Sequence, residues 1–324
     1  MRRVRKLGPL HRWWARRSGD RAAPLATLIV PCYRGAQWIT GCLESILAQT
    51  LDRRDFEVIV VINGEPDESP QIVEDVLSRD PALDYRLVYA EQASLSHARN
   101  VGIELARGGW VTWVDVDDWL SPNYLSELVA ARGAGVVPLA RVVNVDETSG
   151  EHTEPRMTAE ILAQPPGPAD PTELWRPLTF AACKLLPTDL ARKSQFDVAL
   201  KSGEDVAYFA PFMARHDLQL HTGPAHRGAT YYRLVRSGSM SRPAPSYDFS
   251  VTGRIAVMRH LDRAAVASPP RYAKIMRSMM NSQAGFIARY LAVHPEDADR
   301  VQADLSAAAL HHTPWKRAGT RRPD

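Results

Sequence analysis

The sequence predicts an α/β protein with a mostly parallel sheet and helices on both faces of that sheet. Two observations support this fold class. Short apolar segments alternate with segments in which apolar residues recur at helical spacing, and polar clusters follow the apolar segments. Parallel strands need crossover helices between them, and strands covered on both faces read as continuous apolar runs. With 324 residues of globular composition, the chain can form one large domain or two smaller ones.

Four strands are predicted in the first third of the chain. LATLIVP ends at Pro31, FEVIVVI runs from Phe56 to Ile62 and stops at Asn63-Gly64, YRLVYA is the third, and WVTWVD ends at Asp115. Helices are predicted between the strands from apolar residues at helical spacing: Trp38 to Leu47, Ile72 to Leu77 and Ala98 to Leu105.

The polar clusters of this region fall where predicted strands end. They are Tyr33, Asn63-Gly64 and the acidic run from Asp115 to Asp118. Ligands of parallel α/β sheets gather at the carboxyl ends of the strands. The sequence therefore predicts a ligand site at this edge of the sheet.

Later segments carry weaker signals. The polar, proline-rich stretch from Glu147 to Thr172 is typical of a surface excursion or a mobile flap. Order is predicted to return at Leu178 to Leu186, with a helix near Val206 to Met213, a strand near Thr230 to Val235 and helices beyond Tyr247. The predicted organisation is a basic arm over 1–24, a sheet domain over 25–245 and a helical appendage with a basic tail over 246–324.

Charge and cysteine content narrow the class of protein. Up to Arg21 there are eight Lys or Arg residues against one acid, and from Pro314 onward four against one, so the remaining body is acidic. A mildly acidic body argues against a nucleic-acid binder. Three scattered cysteines do not suggest a disulfide framework or a zinc site. Near the start of the sequence, basic residues and tryptophans interrupt the apolar stretch that a signal peptide would need. The expected location is the cytoplasm.

The basic N-terminus leaves two alternatives open. Residues 1–21 mix Arg and Lys with Val4, Leu7, Leu10 and two tryptophans, which suits peripheral contact with an anionic leaflet at the inner face of the cell membrane. The same composition is typical of a disordered solubilising arm.

The sharpest chemical signal is Asp115-Val116-Asp117-Asp118 after the fourth strand. Carboxylates this close repel one another, and partial burial raises their pKa values unless a cation or hydrogen-bond donors compensate. Mg²⁺ or Mn²⁺ bound through one or two carboxylates and phosphate oxygens is the favoured explanation. A helix N-terminus, with acids favoured by the helix dipole, is the alternative.

Three further clusters have both a functional and a structural interpretation. Arg99 and Asn100 lie near a helix start, where they suit anchoring a phosphate or bracing the acidic loop. The structural alternative is an exposed helical turn with Ser96 as its cap, and His97 is given no role. Glu204 and Asp205 follow a glycine and suit either helix capping or general-base catalysis.

The last cluster, Tyr231 to Arg242, combines small residues with arginines. That combination suits a loop that closes over phosphate, and it is equally typical of a solvated loop.

Taken in order, these segments resemble the family 2 inverting glycosyltransferases with the Rossmann-like GT-A fold. The resemblance covers roughly residues 25–245 and is carried by VPCYRGAQWITGCLESILAQTL, FEVIVVINGEPDES and SLSHARNVGIELARGGWVTWVDVDDWLSPNYLSEL, followed by CKLLP, KSGEDVAYF and YYRLVRSGSMSR. The third segment is the most telling, because its Ala-Arg-Asn, its glycine before the strand and its Asp-x-Asp-Asp-Trp fall in the family's order.

The resemblance implies roles for individual residues. The nucleotide-sugar site would consist of Pro31, Tyr33, Asn63, Arg99, Asp115, Asp117 and Arg233, with Tyr33 against the base. Asp117 and Asp115 would hold Mg²⁺ or Mn²⁺ on the diphosphate, and the loop from Ser237 to Ser241 would approach it. Asp205 would be the catalytic base, with Glu204 orienting the acceptor or the base.

The implied function is inverting transfer of a sugar from a nucleotide-sugar donor, preferably UDP-linked, to a glycan or lipid-linked acceptor in polysaccharide, glycolipid or cell-envelope glycan synthesis. Asn63 departs from the family pattern, which usually has an acid there, and an amide can both donate to and accept from a base edge. This departure weakens the preference for UDP.

Three other classes compete with this interpretation. A nucleotide-dependent oxidoreductase needs a glycine-rich turn after the first strand, but PCYRGAQW has only Gly35, and a nucleotidyltransferase also lacks its usual basic glycine-rich loop. The remaining alternative is a catalytically inactive nucleotide-sugar binder or scaffold with the same fold. The clustered acids argue against it, because a silent site has no physical need for them.

Overall fold

A computed structural model describes residues 5–7, 11–16, 22–65, 67–236 and 246–312. These residues group into two compact units. The first contains the described residues up to Asp170 together with 180–196 and 218–236, and the second contains 171–179, 197–217 and the described residues from 246 onward. The predicted limits at 24 and 245 remain predictions.

The strands of the described chain are β1 (Arg5–Leu7), β2 (His11–Arg16), β3 (Ala26–Cys32), β4 (Phe56–Asn63), β5 (Asp84–Ala90), β6 (Trp110–Trp113), β7 (Trp119–Leu120), β8 (Val136–Pro138), β9 (Arg141–Asp146), β10 (His152–Thr153), β11 (Pro168–Ala169), β12 (Leu186–Pro187), β13 (Gln219–His221) and β14 (Thr230–Val235). The α-helices are α1 (Ile39–Leu47), α2 (Ser69–Leu77), α3 (Leu95–Leu105), α4 (Tyr124–Ala130), α5 (Arg156–Ala163), α6 (Thr188–Ala191), α7 (Glu204–His216), α8 (Gly223–His226), α9 (Gly253–Val266), α10 (Pro270–Val293) and α11 (Ala298–Ala307). Short 3₁₀ segments lie at Arg176–Thr179 and Pro295–Asp297, and a π-helical turn lies at Asp248–Thr252.

The main sheet of the first unit has seven strands in the order β1-β2-β5-β4-β3-β6-β12. The four central strands are parallel, as the alternation of strands and helices predicts. At the two ends of the sheet, β2 and β12 pair antiparallel with β5 and β6. The α/β fold class with a mostly parallel sheet is therefore confirmed.

The N-terminal strands differ from the interpretation of residues 1–21 as a disordered arm, whereas peripheral membrane contact of this arm remains a prediction. Residues 11–16 pair with β5, and residues 5–7 pair with β2. The outer edge of β5 offers unpaired backbone N–H and C=O groups, which bind another extended segment whatever its side chains are. Hydrophobic periodicity contains no information about such backbone pairing.

Helix α3 packs closely against strands β3 and β4 of the main sheet. Every residue of β3 and β4 is buried, and α3 packs on both strands. Gly102 permits this contact, because a Cβ there would lie 2.4 Å from Cγ2 of Ile29. The helix therefore holds its own polar residues close to the carboxyl ends of β3 and β6.

Two smaller sheets complete the first unit, in the orders β10-β9-β14-β7 and β11-β13-β8. The predicted strand near Thr230 to Val235 is confirmed as β14, which pairs with β7 through Tyr231 opposite Leu120. The proline-rich stretch contains β10, α5 and β11, and Met157 and Ile161 of α5 are buried. Its few apolar residues are enough for one amphipathic helix, so it is not a plain loop.

The second unit is helical. The helices predicted beyond Tyr247 are present as α9, α10 and α11, and the helix predicted near Val206 to Met213 is α7. Its core includes aromatic and methionine side chains: Phe209, Phe212, Tyr272, Met276, Met279 and Met280. Among the described residues, no helix is both long enough and apolar enough to cross a membrane.

Candidate active site

The strand order places three predicted site residues in a row. Strands β4, β3 and β6 are neighbours in the sheet, and Asn63, Tyr33 and Asp115 lie at or just beyond their carboxyl ends. Adjacent strands are about 4.8 Å apart, so the row spans about 10 Å. That length suits an elongated ligand with a base at one end and phosphates at the other.

An exposed aromatic ring lies in the middle of this row, just beyond the carboxyl end of β3. Tyr33 is 40% exposed and follows the buried Pro31 of β3. Gly64 has a φ of +80°, and a Cβ there would lie 3.1 Å from the Tyr33 ring and 2.8 Å from Cβ of Ala93. Only glycine fits this turn without strain, and it leaves a flat surface beside the tyrosine.

Asn63 has an unsatisfied polar atom at the same place. Its side chain is 4% exposed, and its Oδ1 has no hydrogen-bond partner among the described residues. Leaving a buried acceptor unpaired costs about 1–3 kcal/mol. An N–H at the edge of a nucleotide base is a suitable donor for this atom.

Arg99 braces the first aspartate. Its Nη2 lies 3.3 Å from Oδ1 of Asp115, with the arginine 2% exposed and the aspartate 27%. The N-cap of α3 is Ser94, whose Oγ accepts the N–H of His97, so the expected cap at Ser96 was wrong. The helix therefore holds a buried cation beside an aspartate that remains accessible to solvent.

Asp117 also has a cationic partner, which comes from the residue after β14. Nε and Nη2 of Arg236 lie 3.1 and 2.9 Å from Oδ2 of Asp117. The guanidinium lies over the ring of Trp38, 4.0 Å from its centroid. Both charged side chains are about one-fifth exposed, so this ion pair lies at the mouth of the site.

Asp118 has a different role from its two neighbours. It is buried, its Oδ2 accepts a 2.6 Å hydrogen bond from the Tyr231 hydroxyl, and its Oδ1 accepts one of 2.8 Å from the Leu234 N–H. The same tyrosine oxygen accepts the N–H of Asp115 at 3.0 Å. Hydrogen-bond donors of the protein, not a cation, therefore compensate Asp118, and they fix the acidic loop to β14.

Burial raises the pKa of Asp118 well above its ordinary value of 3.8, and the charges of Asp115 and Asp117 raise it further. In the unfolded chain this carboxyl loses its proton near 3.8, whereas in the folded protein it keeps the proton to higher pH. Between the two values the folded state binds more protons, so stability falls as pH rises.

We expect the substitution Asp118→Asn to remove this part of the pH dependence. Relative to the wild type, the variant should gain unfolding free energy as the pH rises from about 4 towards neutrality. Urea unfolding at several pH values measures the difference. If the difference between the two proteins did not change with pH, the raised pKa would be refuted.

Two residues that contact the acidic loop, Tyr231 and Arg236, were not individually assigned a role from the sequence. Arg233 was expected at the diphosphate, but its Nε donates to Oδ1 of Asn144 at 2.9 Å and its guanidinium lies over Phe180, whereas Arg236 contacts Asp117. The two arginines are an odd number of residues apart, so an extended chain directs them to opposite sides. That parity was the available signal; nothing in the sequence indicated the role of Tyr231.

Glu204 and Asp205 belong to the second unit, where they begin α7. Gly203 precedes them with a φ of +78°, and a Cβ there would lie 2.8 Å from Cγ2 of Val257 in α9. With glycine as the N-cap, no side chain caps the helix, and two acids in the first turn suit the helix dipole. The role of Asp205 as a base remains a prediction. The loop from Ser237 to Ser241 lies outside the described residues.

Within the described chain, no group of three or more His, Cys, Asp or Glu side chains could hold a metal by itself. A divalent ion that binds together with a nucleotide diphosphate needs only one or two carboxylates, because phosphate and water oxygens complete its shell. The accessible carboxylates of Asp115 and Asp117 fit that limited requirement.

The doubly wound sheet with this row of residues is a GT-A type of glycosyltransferase fold. It is shared with the S. aureus TarS fragment 1–349 in complex with UDP-GlcNAc, at a TM-score of 0.62 and 23% identity over 82% of this chain and 72% of that one. The mannosyltransferase PcManGT from Pyrobaculum calidifontis, in complex with GDP-Man and Mn²⁺, gives a TM-score of 0.56 at 19% identity over 94% and 87% of the two chains. At these identities the likeness establishes the fold alone.

Residues 27–182 match the model of glycosyl transferase family 2. The chain is 36% identical over 110 residues to the putative glycosyltransferase EpsH and 43% identical over 105 residues to the uncharacterized glycosyltransferase EpsJ, both of Bacillus subtilis (strain 168). These alignments cover 34% and 32% of this chain but only 31% and 29% of the relatives.

Proposed function

We propose that this protein is an inverting glycosyltransferase that moves a sugar from a nucleotide-sugar donor to an acceptor hydroxyl with the help of Mg²⁺ or Mn²⁺. The observation that carries the proposal is the row of Asn63, Tyr33 and Asp115 across neighbouring strand ends, with Asp117 beside it. The match of residues 27–182 to the model of glycosyl transferase family 2 supports the same reaction class. A glycan or lipid-linked molecule of the cell envelope is the proposed acceptor.

The donor would lie along the row of strand ends. The base would stack on Tyr33, and a ring N–H would donate to the unpaired Oδ1 of Asn63. Uracil offers such an N–H between two carbonyl acceptors, which favours UDP, and the solved TarS complex contains UDP-GlcNAc. The diphosphate would then extend towards Asp115 and Asp117.

The reaction is a single displacement at the anomeric carbon. The acceptor oxygen forms the new glycosidic bond from the face opposite the nucleoside diphosphate, whose bond to the sugar breaks with the electron pair. The acceptor proton passes to a carboxylate, for which we propose Asp205. A bound divalent ion would stabilise the negative charge on the leaving diphosphate, and Asp117 and Asp115 are the carboxylates that would hold it.

A thermal-shift screen of nucleoside diphosphates and nucleotide sugars, with and without Mn²⁺, tests the donor site. At about 100 times its dissociation constant, a true ligand stabilises the folded state by about 2.7 kcal/mol, which raises Tm by roughly 5 °C. The variant Asn63→Leu should lose most of this shift, whereas Gln71→Leu, at an exposed amide of α2, should retain it. No shift with any nucleotide would reject the proposal.

Donor turnover distinguishes the enzyme from an inactive nucleotide-sugar binder. We expect metal-dependent release of nucleoside diphosphate from at least one donor that shifts Tm. Binding without any release, with acceptor glycans supplied, would favour the inactive binder.

We expect removal of the Arg236 charge to strengthen metal binding to the nucleotide-free protein. The guanidinium and a divalent ion compete for the same carboxylate of Asp117, so Arg236→Met should raise the affinity for Mn²⁺ by roughly tenfold. Electron paramagnetic resonance, which detects the unbound Mn²⁺, measures this affinity. The control, Arg227→Met, breaks the ion pair with Glu127 and should change nothing; equal Mn²⁺ affinities in all three proteins would refute the competition.

A further inference from the structure

Two helices of the second unit have an unusual charge distribution. Between Phe249 and Pro295 the sequence contains seven Lys or Arg residues and a single acid, Asp262. That acid is 3% exposed, and it accepts the backbone N–H groups of His311 and His312. Helices α9 and α10 therefore contribute no exposed carboxylate of their own to balance their cations.

Six of the seven basic residues are exposed, and Arg254 is buried. The exposed residues are Arg259, Arg263, Arg271, Lys274, Arg277 and Arg289. In the part of the chain that the structure describes, Arg271 is the one member of this set with an ion pair, which it forms with Asp217. We call these six residues the basic face.

Helical spacing places the basic residues on the outer side of each helix. Arg259 and Arg263 are four residues apart on α9, and Lys274 and Arg277 are three apart on α10, so each pair shares one side. The opposite sides are buried: Val257, Met258 and Leu261 on α9, and Met276, Met279, Met280 and Ile287 on α10. With 24 residues, α10 is about 36 Å long, so the basic face is extended.

The apolar residues of the same helices indicate which polyanion fits. Val266 of α9 and Val293 of α10, each 63% exposed, are the most exposed large hydrophobic side chains in the described part of the chain. Basic residues together with exposed apolar side chains are typical of helices that lie on a lipid surface. A soluble polyanion gains from the charges but not from these valines.

We infer that the basic face of α9 and α10 binds the surface of an anionic lipid bilayer. The arginines and lysine contact the headgroups, and the two valines enter the boundary between headgroups and acyl chains. Each basic residue near such a surface strengthens binding about fivefold. This inference concerns the second unit alone and does not depend on the proposed transferase activity.

Co-sedimentation of the full chain with vesicles tests the inference. Vesicles of phosphatidylcholine with about one-third phosphatidylglycerol are compared with pure phosphatidylcholine at low and at moderate salt, because screening weakens charge-dependent binding. The variant replaces Arg259, Arg263, Lys274 and Arg277 by glutamine. The matched control replaces four exposed arginines of the first unit by glutamine: Arg54, Arg79, Arg132 and Arg156.

We expect the wild type to bind the anionic vesicles and the first variant to bind them at least tenfold more weakly, with the control within twofold of the wild type. Both variants lose the same charge and keep the basic chain ends, so the difference reports the basic face. Thermal melting confirms that both are folded. The substitution pair Val266→Ser and Val293→Ser should weaken vesicle binding severalfold but leave binding to soluble polyphosphate unchanged.

Three outcomes would overturn the inference: no binding of the wild type to anionic vesicles, equal losses in the two glutamine variants, or binding to soluble polyphosphate without binding to vesicles. The last result would assign the basic face to a soluble polyanion. Because sedimentation needs no donor or acceptor, each of these outcomes is independent of whether the protein transfers sugar.

Discussion

The substitution Asp205→Asn is expected to lower the rate of sugar transfer by about 10²–10⁴-fold, the contribution that a positioned general base usually makes. The amide has the size of the carboxylate but cannot take up the proton of the attacking hydroxyl group at neutral pH. Donor binding should be unchanged, because the residues proposed to bind the donor are Asn63, Tyr33, Asp115 and Asp117, whereas Asp205 is proposed to act on the acceptor hydroxyl. Turnover and nucleoside diphosphate affinity, measured on the same protein, separate the two effects.

Asp299 provides the matched control for this substitution. It is an acid in the first turn of α11, so Asp299→Asn removes the same favourable dipole interaction without touching a proposed base. We expect its turnover to equal that of the wild type. If Asp205→Asn retains near-normal turnover while Glu204→Gln abolishes it, the base is Glu204.

The substitution Asp117→Asn should abolish both the metal dependence of donor binding and most of the activity. A neutral amide is a poor ligand for Mg²⁺ or Mn²⁺ compared with a carboxylate, so we expect the affinity for Mn²⁺ to fall at least tenfold. Loss of charge stabilisation on the leaving diphosphate should lower turnover by about 10²–10³-fold. Calorimetry with UDP, with and without Mn²⁺, and a transfer assay measure the two quantities.

Asp75→Asn is the control for Asp117→Asn, since Asp75 is an exposed aspartate on α2 whose partner is the side chain of Gln71. It should leave both quantities unchanged. If Asp117→Asn bound Mn²⁺ and UDP as the wild type does, Asp117 would not be a metal ligand, and the pair with Arg236 would be its only function.

The parallel core and the clustering of polar residues at one edge of the sheet could be predicted because their physical causes are local in sequence. Continuous apolar runs such as Phe56 to Ile62 must be buried on both faces, and the polar residues that end them must then share one edge of the sheet. The sequence also indicated correctly that Asp115 and Asp117 lie at this edge together with Tyr33.

The partners of those aspartates could not be predicted in the same way. Arg99 was named as a brace on the strength of its position near a helix start, but Tyr231 and Arg236 reach the acidic loop from more than 100 residues away in the chain. They arrive there because β14 pairs with β7, and strand pairing of this range is set by backbone hydrogen bonds that leave no periodic signal. The direction of the chain at the end of β14 brings Arg236 to Asp117, whereas Arg233 contacts Asn144.

By itself, the sequence determined the layering of the first unit, the sheet edge where the polar residues gather and the helical character of the C-terminal region. Periodic burial and the ends of strands are encoded in consecutive residues. Only the tertiary structure decided that Asp118 is satisfied by Tyr231 and Leu234, that residues 5–7 and 11–16 extend the sheet, and that α9 and α10 pack against each other. Each of these depends on which distant segments meet, and that is fixed by hydrogen bonding and packing among residues far apart in the chain.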